Sequence, residues 1–188
     1  MDVRDIIETL GLHDVTLVGW SIGARICYSY LELFGRERLR GVVIVDETVH
    51  VTVHEPPAPG SERQAAESDE EYLRRSTLAM FGPDNRKLIA EEDMAWMLGP
   101  RADAPAMAML RADYLAQDWR PLCPTIDLPV LITTGRHSGA YPGCVYAAEH
   151  IPSAKLEVFE TSGHGLVYEE AGKFNKVVAD FVSGASGT

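Results

Sequence analysis

The chain has 188 residues, of which 46% are hydrophobic and 24% charged, enough for one globular domain with a substantial core. Its formal net charge of −11 argues against binding to nucleic acid or to anionic membrane surfaces, because both repel an acidic protein. Three cysteines without C-x-x-C spacing indicate reduced thiols and a cytoplasmic location, and the sequence shows neither a membrane-spanning run nor a signal-peptide pattern.

The first motif in the chain is a strand–turn–helix unit near the N-terminus. After a short amphipathic helix predicted over residues 2–10, residues 15–18 indicate a buried strand, and GWSIG (19–23) fits the pattern G-x-S-x-G. Helical spacing of apolar residues then continues from 24 to 34. This context is typical of a nucleophile elbow, which exposes the Ser21 hydroxyl beside a helix N-terminus. The alternative is an ordinary N-cap serine in a strand-to-helix turn.

A second apolar strand is predicted over residues 42–45, and Asp46 and Glu47 follow it directly. Its uninterrupted apolar character is typical of a parallel sheet that is covered on both faces. Farther along, His50 and His54 have the i, i+4 spacing of some metal sites, but their β-branched neighbours favour an extended chain over the helix that such a site needs. We therefore predict no metal site.

The middle of the chain predicts helices without strands. Residues 61–119 contain three helical segments separated by Gly-Pro pairs, and Ser68 begins a capping box in the first of them. Most of the methionines fall in this region, where they pack between helices or face an apolar ligand. An all-helical segment between two strands indicates an insertion into an α/β core.

The last third of the chain alternates strands and helices. Strands are predicted over 130–133 and 156–159, with a helix over 142–151 between them and an amphipathic helix over 171–182 after them. The loop SGHG (162–165) follows the last strand. The sequence as a whole therefore predicts an α/β fold with a parallel sheet of about four strands flanked by helices.

Three blocks of this pattern resemble the α/β-hydrolase family, close to its esterases and cofactor-free haloperoxidases: DVTLVGWSIGA (14–24), LPVLITTGRHS (128–138) and LEVFETSGHGLVYEE (156–170). The resemblance covers residues 2–182, and the blocks occur in the family's order. It implies a partial α/β-hydrolase fold without a counterpart of the family's first four strands. The expected organisation is a hydrolase core over 1–48 and 121–188, with a helical cap or lid over 49–120.

The resemblance also implies a catalytic serine, acid and histidine in that order along the chain. Ser21 is the predicted nucleophile, and His164, in the loop after the last strand, is the predicted base. The family's usual acid position holds Ser138, which cannot stabilise an imidazolium as a carboxylate does. Since some relatives place the acid one strand earlier, Asp46 is the predicted acid and Glu47 the alternative.

The predicted activity is hydrolysis of a small apolar carboxylic ester through an acyl-enzyme, without a cofactor or a metal ion. The backbone N–H of Ile22 is the predicted oxyanion donor, and Trp20, Met97 and Met107 are the predicted pocket residues. The alternative is a non-catalytic or incomplete domain that needs an N-terminal half or a partner. One side of the strand over 15–18 would be unpaired, and we expect the chain to form homo-oligomers through it or to be poorly stable until an N-terminal half binds.

Overall fold

The computed structural model describes residues 2–51, 63–99 and 103–184. Within them, four parallel strands form one sheet in the order β1-β2-β3-β4. The strands are β1 Val15–Trp20, β2 Leu39–Val45, β3 Val130–Gly135 and β4 Ala154–Phe159. The predicted parallel sheet is confirmed, and each strand extends two or three residues beyond its predicted range. In β2 the extra residues include Gly41, which strand propensity does not favour but which pairs with Thr16 of β1.

The α-helices of the described residues follow the predicted order along the chain, apart from a short helix over 166–169 that was not predicted. Two of them flank β1, namely α1 Asp2–Thr9 and α2 Ile22–Phe34. Three lie between β2 and β3, namely α3 Asp69–Ala79, α4 Glu91–Met97 and α5 Ala104–Ala116, and we refer to residues 69–116 as the helical insertion. The others are α6 Tyr141–His150, between β3 and β4, and α7 Leu166–Glu169 and α8 Ala171–Gly184, after β4. The predicted capping box is present, because Ser68 Oγ accepts from the Glu71 N–H and the Glu71 carboxylate accepts from the Ser68 N–H.

Apolar side chains cover both faces of the sheet, as the character of β2 predicts. On one face, Val42 and Ile44 belong to a cluster that includes side chains of α2 and α6. On the other face, Val43 and Val45 pack with Phe159 and with side chains of α8. Because neighbouring residues of β2 point to opposite faces, both clusters hold this strand in the middle of the molecule.

The sequence predicts neither a membrane-spanning segment nor a metal site. No helix in the described ranges is both long and apolar enough to cross a lipid bilayer. Across residues 2–51, 63–99 and 103–184, no group of three or more His, Cys, Asp and Glu side chains is placed to hold a metal ion. Of the pair His50 and His54, the second lies outside the described residues.

Candidate active site

Loops that follow three of the strands carry the residues predicted for catalysis. Ser21 follows β1, Asp46 follows β2 and His164 lies in the loop after β4. Because the strands are parallel, their carboxyl ends meet at one edge of the sheet, where ligands bind in α/β folds. The topology therefore brings residues that are distant in sequence to the same end of the sheet.

Ser21 occupies a strained turn between β1 and α2. Its φ of 55° and ψ of −127° lie in a region that residues other than glycine rarely adopt. The turn is held by the Ser21 N–H, which donates to the Val45 carbonyl at 3.0 Å. At Gly19 a Cβ atom would collide with the backbone of Gly23, so the close approach of strand and helix requires glycine there. Ile22 is the first residue of α2, and its N–H is therefore one of the amides that the helix itself cannot pair.

Asp46 is fully buried, and four groups surround its carboxylate. Oδ1 accepts from Thr134 Oγ1 at 2.6 Å and from the Gly135 N–H at 3.1 Å. Oδ2 accepts from Ser138 Oγ at 2.5 Å and lies 2.6 Å from His164 Nδ1. A buried carboxylate is stable only with partners of this kind, and here they also set its orientation towards the imidazole.

The contact with Asp46 through Nδ1 leaves His164 Nε2 free to exchange a proton with another group. Burial of the ring disfavours the imidazolium, whereas the hydrogen bond to Asp46 and the charges of Asp46 and Glu47 favour it. The favourable contributions outweigh burial, so the pKa of His164 lies above its usual 6.5. Within the described part of the chain, the Ser21 hydroxyl makes no hydrogen bond to His164. Such bonds are often long without substrate and tighten when it binds.

The backbone of His164 is held on both sides of the residue. Its N–H donates to the Met80 carbonyl at 2.6 Å, and its carbonyl accepts from Trp20 Nε1 at 3.0 Å. The Trp20 and His164 rings also lie close together, with centroids 5.5 Å apart. Trp20, predicted to line the pocket, therefore also connects the end of β1 to the histidine loop.

Glu47, the alternative acid, faces another part of the molecule. Its Oε1 accepts from the Thr48 N–H at 2.8 Å and lies 3.4 Å from Nε of Arg25. The Arg25 guanidinium donates to the Tyr114 carbonyl at 2.9 Å and stacks on the Tyr114 ring, 3.5 Å from its centroid. Glu47 thus joins α2 to the helical insertion, and the carboxylate in contact with His164 is that of Asp46.

Ser138, which stands where the resemblance expects the acid, is part of the Asp46 environment. Its hydroxyl donates to Asp46 Oδ2 and accepts from the Ala140 N–H at 3.1 Å. The sequence interpretation missed this donor and Thr134, because a hydroxyl residue at the end of a strand carries no local signal of its partner. The position of Ser138 in its block was the one signal that could have identified it.

Two cavities lie beside these elements. The larger, of about 370 Å³, runs between α1, α2 and α5, and Ile22 lines its wall. The smaller, of about 140 Å³, is lined by Met97 and Tyr168 among others, and the Tyr168 ring lies 5.8 Å from that of Trp20. Met107 is 49% exposed and lines neither of these two cavities. Of the predicted pocket residues, Met97 therefore lines the smaller cavity, Trp20 contacts the wall of that cavity through Tyr168, and Met107 lies apart.

Comparison with known proteins relates the chain to a family. A family model described as "Alpha/beta hydrolase family" matches residues 1–177. AB hydrolase superfamily protein YisY of Bacillus subtilis is 27% identical over an alignment of 190 positions that covers 96% of this chain and 70% of that protein. An esterase from Exiguobacterium antarcticum superposes with a TM-score of 0.74 at 22% identity, covering 97% of this chain and 71% of the esterase. The enol-lactonase from Burkholderia xenovorans LB400 superposes with a TM-score of 0.77 at 21% identity, covering 97% and 70%. At these identities the structural likeness shows the fold alone.

Proposed function

Because the chain belongs to the alpha/beta hydrolase family, we propose that it is a serine hydrolase that cleaves a small apolar carboxylic ester through an acyl-enzyme. The observation that carries the proposal is the buried Asp46 carboxylate 2.6 Å from His164 Nδ1, at the strand ends where the Ser21 turn lies. An esterase and an enol-lactonase are among the proteins of similar fold, and a lactone is a cyclic ester.

In the proposed reaction Ser21 is the nucleophile. His164 Nε2 takes the proton of the Ser21 hydroxyl as Oγ attacks the ester carbonyl, and Asp46 stabilises the imidazolium that forms. The Ile22 N–H donates to the oxyanion of the tetrahedral intermediate. His164 then returns the proton to the leaving alcohol, which leaves Ser21 acylated. A water molecule, deprotonated by His164, hydrolyses this acyl-enzyme, and no cofactor or metal ion takes part.

Three further expectations belong to the same proposal. The chain is divided into a core over 1–48 and 121–188 and a cap over 49–120, and the cap with Trp20 and Met97 contacts the apolar part of the ester. Its location is cytoplasmic, which suits three free cysteines that are all buried. It self-associates through residues 15–18, because within the described residues β1 pairs only with β2.

That unpaired edge also favours the second candidate function, a domain that is inactive by itself and depends on a partner. Ile22 supplies one oxyanion donor, whereas an oxyanion hole commonly uses two. Loss of a single donor costs a factor of roughly 10² to 10³ in turnover, so an oxyanion hole with the Ile22 N–H alone would weaken catalysis without abolishing it.

A fluorophosphonate probe, which reacts with activated serines, tests the proposal directly. We expect the purified chain to be labelled and to hydrolyse short p-nitrophenyl esters. Ser21→Ala should abolish labelling and reduce turnover by a factor of roughly 10⁴ or more. Ser29→Ala, in the same helix α2, is the matched control and should leave both unchanged.

Labelling that persists in Ser21→Ala would contradict the assignment of the nucleophile. A folded wild-type chain that neither reacts with the probe nor hydrolyses esters would favour the partner-dependent domain.

A further inference from the structure

We propose that Glu169 is a positioning residue that fastens the loop carrying His164 to the helical insertion, so that the insertion controls where the imidazole lies. The catalytic consequence rests on the proposed function. The connection itself is a property of the fold and can be tested separately.

The Glu169 carboxylate joins two segments that are far apart in sequence. Oε1 accepts from the Gly163 N–H, next to His164, at 2.8 Å. Oε2 accepts from the Gly82 N–H and from Asn85 Nδ2, both at 2.8 Å, in the turn that follows α3. Hydrogen bonds to an ionised acceptor are stronger than those between neutral groups, and three of them meet on this one carboxylate.

The same two segments touch through their backbones. The Met80 carbonyl accepts from the His164 N–H at 2.6 Å and from the Gly165 N–H at 3.3 Å. Asn85 Nδ2 also donates to the carbonyl of Thr161, at 3.0 Å. The turn after α3 is thus hydrogen-bonded to the histidine loop before, at and after His164.

Glycines make this close approach possible. A Cβ atom at Gly163 would collide with the Met80 carbonyl, and one at Gly165 would collide with the Phe81 ring. At Gly82 a Cβ atom would collide with the Thr161 carbonyl. The two segments therefore pack in close contact, and a movement of the turn after α3 must move the histidine loop with it.

Two other contacts of His164 explain why its position is sensitive. Its Nδ1 must remain near Asp46, and its carbonyl is held by Trp20 Nε1. Asp46 and Trp20 belong to the sheet and its ends. The groups of the helical insertion that hold the loop are the Met80 carbonyl and the two donors to Glu169 Oε2, Gly82 and Asn85. His164 is therefore held between the sheet and the helical insertion. Loss of the contacts with the insertion would leave the contacts with Asp46 and Trp20 to fix its position. A misplacement of about 1 Å in an active site can cost a factor of about 10² in rate.

The test compares Glu169→Gln with Glu170→Gln. In Glu169→Gln the new amide has nearly the size of the carboxylate but presents an NH₂ group to one of the backbone donors, which breaks the bridge. Glu170 accepts from Ser162 Oγ at 2.7 Å and from Thr161 Oγ1 at 3.2 Å, so its described side-chain hydrogen bonds stay within the loop. It is a matched control of the same charge and size.

Amide hydrogen exchange and steady-state kinetics are measured on both variants. In Glu169→Gln, we expect the amides of Gly82, Gly163 and His164 to exchange at least tenfold faster than in the wild type, with exchange in the strands unchanged. We expect kcat to fall by a factor of about 10 to 10² with KM within twofold, because alignment of the base is lost and ester binding is not. Glu170→Gln should change neither quantity to this extent.

Unchanged exchange at Gly163 and His164 in Glu169→Gln would overturn the proposal. So would a uniform rise in exchange across the chain with kcat unchanged, since that is the signature of a general loss of stability. If the wild type hydrolyses no ester, the proposed function fails, and the exchange data still decide whether Glu169 holds the loop.

Discussion

The two outer strands of the sheet, β1 and β4, each lead to a residue of the candidate site but end the sheet in different ways. β4 carries Lys155 and Glu157, and Glu157 pairs with Lys173 of α8 at 2.7 Å. Lys173 also donates to the Val158 carbonyl at 2.9 Å. β1 has no charged residue, and Val18 is 51% exposed. Charged residues discourage a further strand from pairing, so among the residues that the structure describes the β4 edge is protected and the β1 edge is open.

The two edges also differ in how far the apolar side chains around them are buried. Beyond β4, Phe174, Val177 and Val178 of α8 pack on the core. Near β1, large apolar side chains of α1, α2 and the loops beside them are 40% exposed or more: Ile6, Leu10, Leu12, Ile22, Ile26 and Leu33. The histidine side of the site is therefore stabilised by contacts within the chain, whereas the Ser21 side borders an uncovered apolar surface of the kind that marks an interaction site.

The largest expected effect concerns the acid of the site, which follows β2, the strand next to the open edge. If loops from both edges serve one site, the acid between them must be Asp46, and Asp46→Asn should reduce turnover by a factor of roughly 10⁴ while the protein stays folded. Glu47→Gln should lose less than tenfold, since Glu47 contacts Arg25 and not the imidazole. Ester hydrolysis and circular dichroism measure both variants. A severe loss in Glu47→Gln with a mild one in Asp46→Asn would show that the acid is misassigned by one residue.

A smaller effect tests the His164 side through its pKa. The base acts only when neutral, and its pKa lies above the usual 6.5, so kcat/KM should fall about tenfold per pH unit below that pKa. The midpoint of the pH–rate profile should therefore lie above about 6.5. Substitution of Asp46 by Asn removes a charge that raises this pKa, and the midpoint of the residual activity should move to lower pH. A flat profile between pH 5 and pH 8 would exclude His164 as the base.

The smallest effect tests the open edge itself. We expect the wild type to self-associate at micromolar concentration, and Val18→Lys to weaken that association at least tenfold because a lysine on an edge strand disfavours pairing. Lys155→Glu, a charge change on the protected edge, is the control and should leave association unchanged. Sedimentation velocity measures all three proteins. A wild type that remains monomeric would contradict the difference drawn between the edges.

The order and type of the main elements could be predicted from the sequence, because periodicity and turn chemistry are local. The apolar runs at 42–45 and 130–133 identified buried strands, and Ser68 with its capping box marked the start of α3. Strand ends were less accurate. Gly41 joins β2 because it pairs with Thr16 of β1, and no local signal in the sequence reports a partner strand.

The sequence by itself determined the family resemblance, the parallel sheet and a short set of polar residues at strand ends, with Asp46 and Glu47 left as alternatives. The packing of the strands and loops then brings Asp46 to His164 and Glu47 to Arg25. Only the tertiary structure revealed that Ser138 donates to Asp46 and that Glu169 connects two distant segments. The physical reason is that a hydrogen bond between residues far apart in the chain depends on how strands and loops pack. Local propensity sets which elements form, but packing sets which donor meets which acceptor.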